Sequence, residues 1–153
     1  MIGTRVKLVE KYIDAPHFCL TYGDGVCDIP LDQELDFHLS HNCLGTVAAC
    51  RAPTRCGMRR ISRHNRFKSF HDKEPLHHDY INGGYFMFRR EFLNRLPAVD
   101  NYSLESHPLT QLARDGQLSA FKHGGFWQCM DTIRDRENLE KVYDSGKAPW
   151  VRW

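Results

Sequence analysis

The sequence predicts an α/β fold built on a mixed, mostly parallel sheet. Two observations carry that reading. Strand-length apolar runs alternate with helical stripes from one end of the chain to the other. Glycine turns and proline breaks punctuate the alternation, with no internal repeat and no low-complexity linker. The 153 residues suit one domain spanning 1–153.

The elements follow in order. Apolar residues at Val6, Val9 and Ile13 fit a short helix over Thr4–Ile13, broken by Asp14-Ala15-Pro16. His17–Tyr22 reads as a buried strand that ends in the turn Gly23-Asp24-Gly25. Leu31–Ser40 repeats apolar groups at Leu31, Leu35 and Leu39, a helical stripe. Gly45–Cys50 is the next strand, and shorter ones are expected at Met58–Ile61 and Arg66–Phe70. Tyr80–Phe88 is a strand interrupted by Gly83-Gly84. Glu91–Leu96 and Leu109–Asp115 look helical, and Ser106 and Pro108 suit the start of the second. Leu118–Lys122 is a strand. Thr132–Ser145 is the longest helix, with Ile133, Leu139, Val142 and Tyr143 as candidate buried positions and Gly146 at its stop.

Composition narrows the classes. With 41% hydrophobic and 26% charged residues, the chain is neither disordered nor membrane-like. Its apolar stretches are too short to span a bilayer, and its start has no apolar signal core, so a cytoplasmic protein is expected. The six cysteines include no CxxC pair and read as reduced core cysteines rather than a disulfide framework. Arg51, Arg55, Arg59, Arg60, Arg63, Arg66 and Lys68 form a basic run without an intervening acid. With a net charge of only +2 and little aromatic interleaving, it suits a solvated or phosphate-facing surface better than nucleic acid.

Several residues are candidates for chemistry. Asp24 stands between two glycines after a buried strand, at the sheet edge where open α/β folds bind ligands. A plain Asp-Gly turn explains it as well. Asp131 precedes the last helix and suits an N-cap. Paired with Asp24, it would instead be one of two oxygen ligands for Mg²⁺. Asp72-Lys73 offers a sugar-hydroxyl acceptor and a phosphate partner, or simply a charged turn. Gly83-Gly84 inside a strand marks a bulge or close backbone approach, with Asn82 a plausible sugar contact beside it. His38, His41 and Cys43, and likewise His77-His78-Asp79, look like zinc clusters, but neither is a complete four-ligand set.

The motifs together resemble a known family. Tyr22–Val26, Phe37-His38 with Thr46, Arg55 with Gly57, Phe70-His71-Asp72-Lys73 and Ile81-Asn82-Gly83-Gly84 are similar to the glucose-1-phosphate cytidylyltransferases. The match is strongest at Gly125–Asp135, GFWQCMDTIRD, and at the GKAPWVRW ending. It runs from about Gly3 to Trp153. The resemblance implies a Rossmann-like nucleotidyltransferase fold, incomplete at its N-terminus. It implies a reaction of CTP with α-D-glucose 1-phosphate giving CDP-glucose and diphosphate, in nucleotide-sugar biosynthesis for deoxysugars and O-antigen. It implies Asp24 and Asp131 as Mg²⁺ ligands and catalytic residues with Lys73. Arg5 and Gly23 fall at nucleotide contacts; Gly57, Asp72, Lys73 and Asn82 fall on the sugar-phosphate side.

The chain departs from that pattern in places. No glycine-rich GGxGTR-type loop and no lysine-bearing KP segment precede these motifs; Gly3-Thr4-Arg5 aligns with a later segment. The chain is therefore expected to be inactive alone, exposing sheet edge and apolar surface, and to act as a homo-oligomer or with an N-terminal segment. Asp72 replaces the usual Glu, Glu74 the usual Pro and Cys56 an aromatic, and His107 stands where an acid is expected. The alternative is a non-catalytic sugar-phosphate-binding or assembly module. No membrane partner and no nucleic acid is expected.

Overall fold

The computed structural model describes residues 1–51, 80–97 and 99–152, and the backbone of two further strands at 59–61 and 67–70. Helix α1 (Ile2–Val9) runs into a tight 3-10 turn at Glu10–Tyr12. Strands β1 (His17–Thr21) and β2 (Gly25–Cys27) precede helix α2 (Leu31–Leu39) and β3 (Gly45–Arg51). Strands β4 (Arg59–Ile61) and β5 (Phe67–Phe70) pair as an antiparallel ribbon. Strand β6 (Tyr80–Arg89), a 3-10 turn at Arg90–Arg95, helix α3 (Thr110–Arg114), β7 (Leu118–His123), β8 (Trp127–Cys129) and helix α4 (Ile133–Asp144) complete the chain. The start of α3 is widened into a π-turn at Glu105–Leu109, which accommodates Pro108.

The main sheet has the order β1-β6-β3-β7. Strand β6 is antiparallel to both β1 and β3, and β7 is parallel to β3. Strands β1, β3 and β7 therefore run the same way, with β6 reversed between them. The alternation of apolar runs foretold the common direction. It did not foretell the reversed strand, whose neighbours in space are distant in sequence.

Side chains of β3 point alternately to two faces. One face packs on the larger core, where Val6, Phe86, Phe88, Phe92, Leu104 and Leu112 are buried. Burying side chains of this size contributes about 1.5–3 kcal/mol each. The other face carries Ala48 and Cys50, packed with Ile29, Cys27, Tyr85, Phe121 and Trp127. That second, smaller cluster lies beneath a separate two-stranded ribbon of β2 and β8.

Two helices differ from their sequence pattern. The stripe that predicted α2 does not face the core: Leu31, Leu35 and Leu39 are 54%, 38% and 51% exposed, while Glu34 and His38 are buried. His38 turns inward because it finds partners there. Its Nδ1 lies 2.8 Å from the Thr46 hydroxyl and its Nε2 lies 3.1 Å from His17 Nδ1. Burial, reinforced by His17, His41 and Arg89, pushes its pKa down to about 4. In α4, Ile133 and Tyr143 are exposed, whereas Leu139 and Val142 are half-buried. The cysteines also divide: Cys50 is buried, but Cys19 is exposed, and five described cysteines are free thiols.

Candidate functional site

The ribbon sets the site. Gly25 pairs with Cys129 and Cys27 with Trp127 in antiparallel register. Beyond the last pair, Met130 N–H donates to the Asp24 carbonyl at 2.7 Å. Asp24 and Asp131 are 107 positions apart in sequence, and this pairing brings both to the same end of one ribbon, with both exposed.

The local structure decides between the two readings of Asp131. The cap of α4 is Thr132, not Asp131. The Thr132 hydroxyl accepts from Asp135 N–H at 3.2 Å, and the Asp135 carboxylate accepts from Thr132 N–H at 3.0 Å. Asp131 is thereby released from capping, and its carboxylate accepts from the Cys129 thiol at 3.2 Å. Gly23 is also open: a side chain there would meet nothing within 4 Å, so packing does not require the glycine. It leaves clear ground beside Asp24.

The glycine bulge lies alongside. The register of β6 against β3 jumps from Phe86–Val47 to Asn82–Ala49, and Gly84 has φ of +77°, a conformation that favours glycine. Asn82 holds the bulge with its own amide, accepting from Gly84 N–H at 2.8 Å. Its Nδ2 also reaches the Tyr22 hydroxyl at 3.4 Å. Trp127 Nε1 donates to the Gly83 carbonyl at 2.7 Å and Tyr85 hydroxyl to the Gly25 carbonyl at 3.1 Å, tying ribbon to sheet.

Tyr22, immediately before Gly23, donates its hydroxyl to the Glu105 carboxylate. Burial and then this bond raise the Tyr22 pKa. Burial works to raise Glu105 as well, but hydrogen bonds from Ser103 and Tyr22 outweigh it and hold the carboxyl below its ordinary range. Arg5 sits on the exposed side of α1. The adjacent Thr4 hydroxyl accepts from Tyr102 N–H at 3.2 Å, which anchors α1 to the segment leading to Glu105. Gly57, Asp72 and Lys73 lie outside the described residues, as do Cys56 and His77-His78-Asp79.

The structure therefore gathers Gly23, Asp24, Asp131 and Asn82, with Arg5 anchored nearby in sequence to that segment. Sequence reasoning missed Tyr22, Glu105 and Trp127 as the frame. Trp127 was visible within the GFWQCMDT motif, but nothing in the sequence showed that its indole meets Gly83. The histidine cluster near α2 is a hydrogen-bond network instead: His38 and His41 both converge on the Thr46 hydroxyl, at 2.8 and 3.0 Å.

An α/β sheet with Asp24 and Asp131 at one end of an attached ribbon is the candidate site. The chain is similar to sugar nucleotidyltransferases, and it spans less than two thirds of the length of those it matches. Over its whole length it is 40% identical to the glucose-1-phosphate cytidylyltransferase of Salmonella typhimurium, covering 59% of that protein. Over 88% of its length it is 29% identical to a mannose-1-phosphate guanyltransferase of Aspergillus oryzae, covering 39% of it. Its fold matches that of a Bacillus anthracis protein provisionally named a glucose-1-phosphate thymidylyltransferase. The TM-score is 0.71 at 13% identity, over all of this chain and 63% of the other. No protein-family model matches.

Proposed function

We propose that this chain contributes the metal and sugar-phosphate side of a glucose-1-phosphate cytidylyltransferase site, joining CTP and α-D-glucose 1-phosphate into CDP-glucose and diphosphate. The observation that carries the reading is the β2–β8 pairing, which sets Asp24 and Asp131 at one ribbon end while Thr132 does the capping. The 40% identity to the Salmonella cytidylyltransferase supports the choice of CTP and glucose 1-phosphate.

The donor set fits Mg²⁺. Two exposed carboxylates offer hard oxygen ligands and leave room for phosphate oxygens and waters. Bound there, Mg²⁺ neutralises charge on the nucleotide phosphates. The nucleophile, a sugar phosphate, is already anionic, so the chain supplies no general base. Its task is to align two anions and offset their repulsion. In this reading Lys73 would offset the charge of the attacking phosphate, Gly57, Asp72 and Asn82 would bind the sugar phosphate, and Gly23 and Arg5 would bind the nucleotide. The same reading makes the chain a cytoplasmic component of nucleotide-sugar supply for deoxysugar or O-antigen assembly. It works as a homo-oligomer or with a further segment. Among the described residues no helix is long and apolar enough to cross a membrane.

The test is diphosphate release from CTP, glucose 1-phosphate and Mg²⁺, by the chain alone and with the remaining portion of the Salmonella relative supplied. UTP and dTTP serve as competing nucleotides. Asp24→Asn and Asp131→Asn are each expected to reduce the rate by about 100-fold or more. Unchanged rates in both variants refute the metal assignment. Glucose 1-phosphate binding that needs neither Mg²⁺ nor Asp24, without turnover in any mixture, favours a sugar-phosphate-binding module.

A further inference from the structure

A second set of ligand-type side chains lies beneath the same ribbon. Cys27 ends β2, Asp28 follows it, and His123 ends β7. One donor atom from each of the three lies within 4.8 Å of the others. Cys50 lies beside them on β3, where the parallel register pairs it with His123, but its thiol packs toward Gly83 and stands outside the group. Cys50 and His123 are buried, whereas Cys27 and Asp28 are half-buried. His123 Nε2 and Asp28 Oδ1 are 2.8 Å apart.

The surroundings favour a cation. Glu34 is 1% exposed, and neither of its carboxylate oxygens has a hydrogen-bond partner. It is a buried acidic group without a hydrogen bond among the described residues, on the helix that follows Asp28. Among the described residues, the one guanidinium contact at Asp28 is from Arg152, and it goes to the main-chain carbonyl, not the carboxylate. Gly125 crosses close over the pair: a side chain there would collide with Asp28 Oδ1 and the His123 ring.

We propose that Cys27, His123 and Asp28, with a water as fourth ligand, form a tetrahedral site for a soft divalent cation, with Zn²⁺ the best fit. A sulfur, an imidazole nitrogen and a carboxylate oxygen are a donor set that zinc accepts, whereas Mg²⁺ disfavours sulfur. Binding releases the Cys27 thiol proton to solvent. The cation takes the imidazole lone pair in place of the Asp28–His123 hydrogen bond. The ion bridges β2 to β7, so it fastens the ribbon that carries Asp24 onto the main sheet. The site is distinct from the Asp24–Asp131 pair and does not depend on the reaction proposed for it.

The experiment uses the reduced, chelator-stripped chain titrated with Co²⁺ and then Zn²⁺. One equivalent of Co²⁺ is expected, with the visible bands of a tetrahedral ion, a thiolate-to-cobalt band in the ultraviolet, and displacement by Zn²⁺. Cys27→Ser is expected to weaken binding at least tenfold, and Cys19→Ser to leave it unchanged. Should Cys27→Ser fail to fold, alkylation of the unmodified chain decides: Zn²⁺ is expected to slow labelling of Cys27 but not of Cys19. Cobalt bound only with an oxygen-ligand spectrum, or binding lost in Asp24→Asn but kept in Cys27→Ser, overturns the proposal. Unchanged labelling of Cys27 overturns it too.

Discussion

Glu34 gives the sharpest prediction about stability. It is buried with both oxygens unpartnered, and burial alone pushes its pKa up to about 7 from 4.5. At roughly 1.4 kcal/mol per pH unit, that difference costs the folded chain about 3 kcal/mol once the carboxyl is ionised in both states. Below pH 4.5 the group is protonated folded or unfolded, and there is no cost. Between pH 4.5 and 7 the unfolded chain ionises first, so stability falls as pH rises; above 7 the loss is complete. Glu34→Gln removes this dependence, although its buried amide carries a pH-independent cost of about 1–2 kcal/mol. The groups that face Glu34, namely Cys19, Cys27, Cys50 and Tyr85, are common to both proteins and cancel in the comparison. Urea unfolding with a chelator present, at intervals from pH 4 to 8, measures the difference. The variant's stability relative to the parent is expected to rise by about 3 kcal/mol across that range. Parallel curves refute the reasoning.

Three further outcomes follow from single contacts. Thr132→Ala removes the cap of α4 and is expected to cost about 1 kcal/mol in urea unfolding, with a larger effect than Asp131→Ala. Gly84→Ala forces a side chain into a left-handed conformation and against the Tyr22 ring; a loss of more than about 1 kcal/mol is expected in thermal unfolding. His38, held down to about 4, is expected to stay neutral at pH 5.5 by nitrogen-15 NMR of the imidazole, while unfolded histidine is largely protonated there. Its contribution therefore runs opposite to that of Glu34: stability is present above pH 6.5 and is lost as pH falls toward 4.

The order of the helices and of the main-sheet strands was legible because each rests on local pattern and on turn chemistry that short stretches encode, whereas β2 and β8, three residues each, were not expected from the sequence. The Gly83-Gly84 bulge was legible for the same reason, since two glycines in an apolar strand have few other uses. The face of α2 was not. Leu31, Leu35 and Leu39 make a regular stripe, yet His38 meets Thr46 and His17 from other elements, and those partners turn the polar face inward. The reversed direction of β6 was likewise hidden, because pairing between β1, β3 and β6 joins residues far apart in sequence. Asp24 and Asp131 were nameable as candidates, but their juxtaposition depends on a β2–β8 register that only the folded chain displays. Asp28 and His123 carried no sequence signal at all, being 95 positions apart.

The attachment of the ribbon is what links stability to function here. Asp24 and Asp131 stand on neither the main sheet nor one of its helices; they sit at the end of a three-pair ribbon, too short to hold itself rigid. Its position relative to Asn82 is set by contacts to the sheet: Trp127 to Gly83, Tyr85 to Gly25, and Tyr22 N–H to the Gly84 carbonyl at 2.9 Å. Two of these end on the glycine bulge that Asn82 itself braces. The bulge therefore serves both halves of the proposed site, since it presents a sugar contact and anchors the carboxylate pair. A change at Gly83 cannot be confined to one of them: a side chain there would strike Cys50 and the Ala48 carbonyl and displace the backbone that Trp127 holds. Damage at the bulge should thus separate the carboxylates from the sugar side before it unfolds the larger core, which lies on the opposite face of β3.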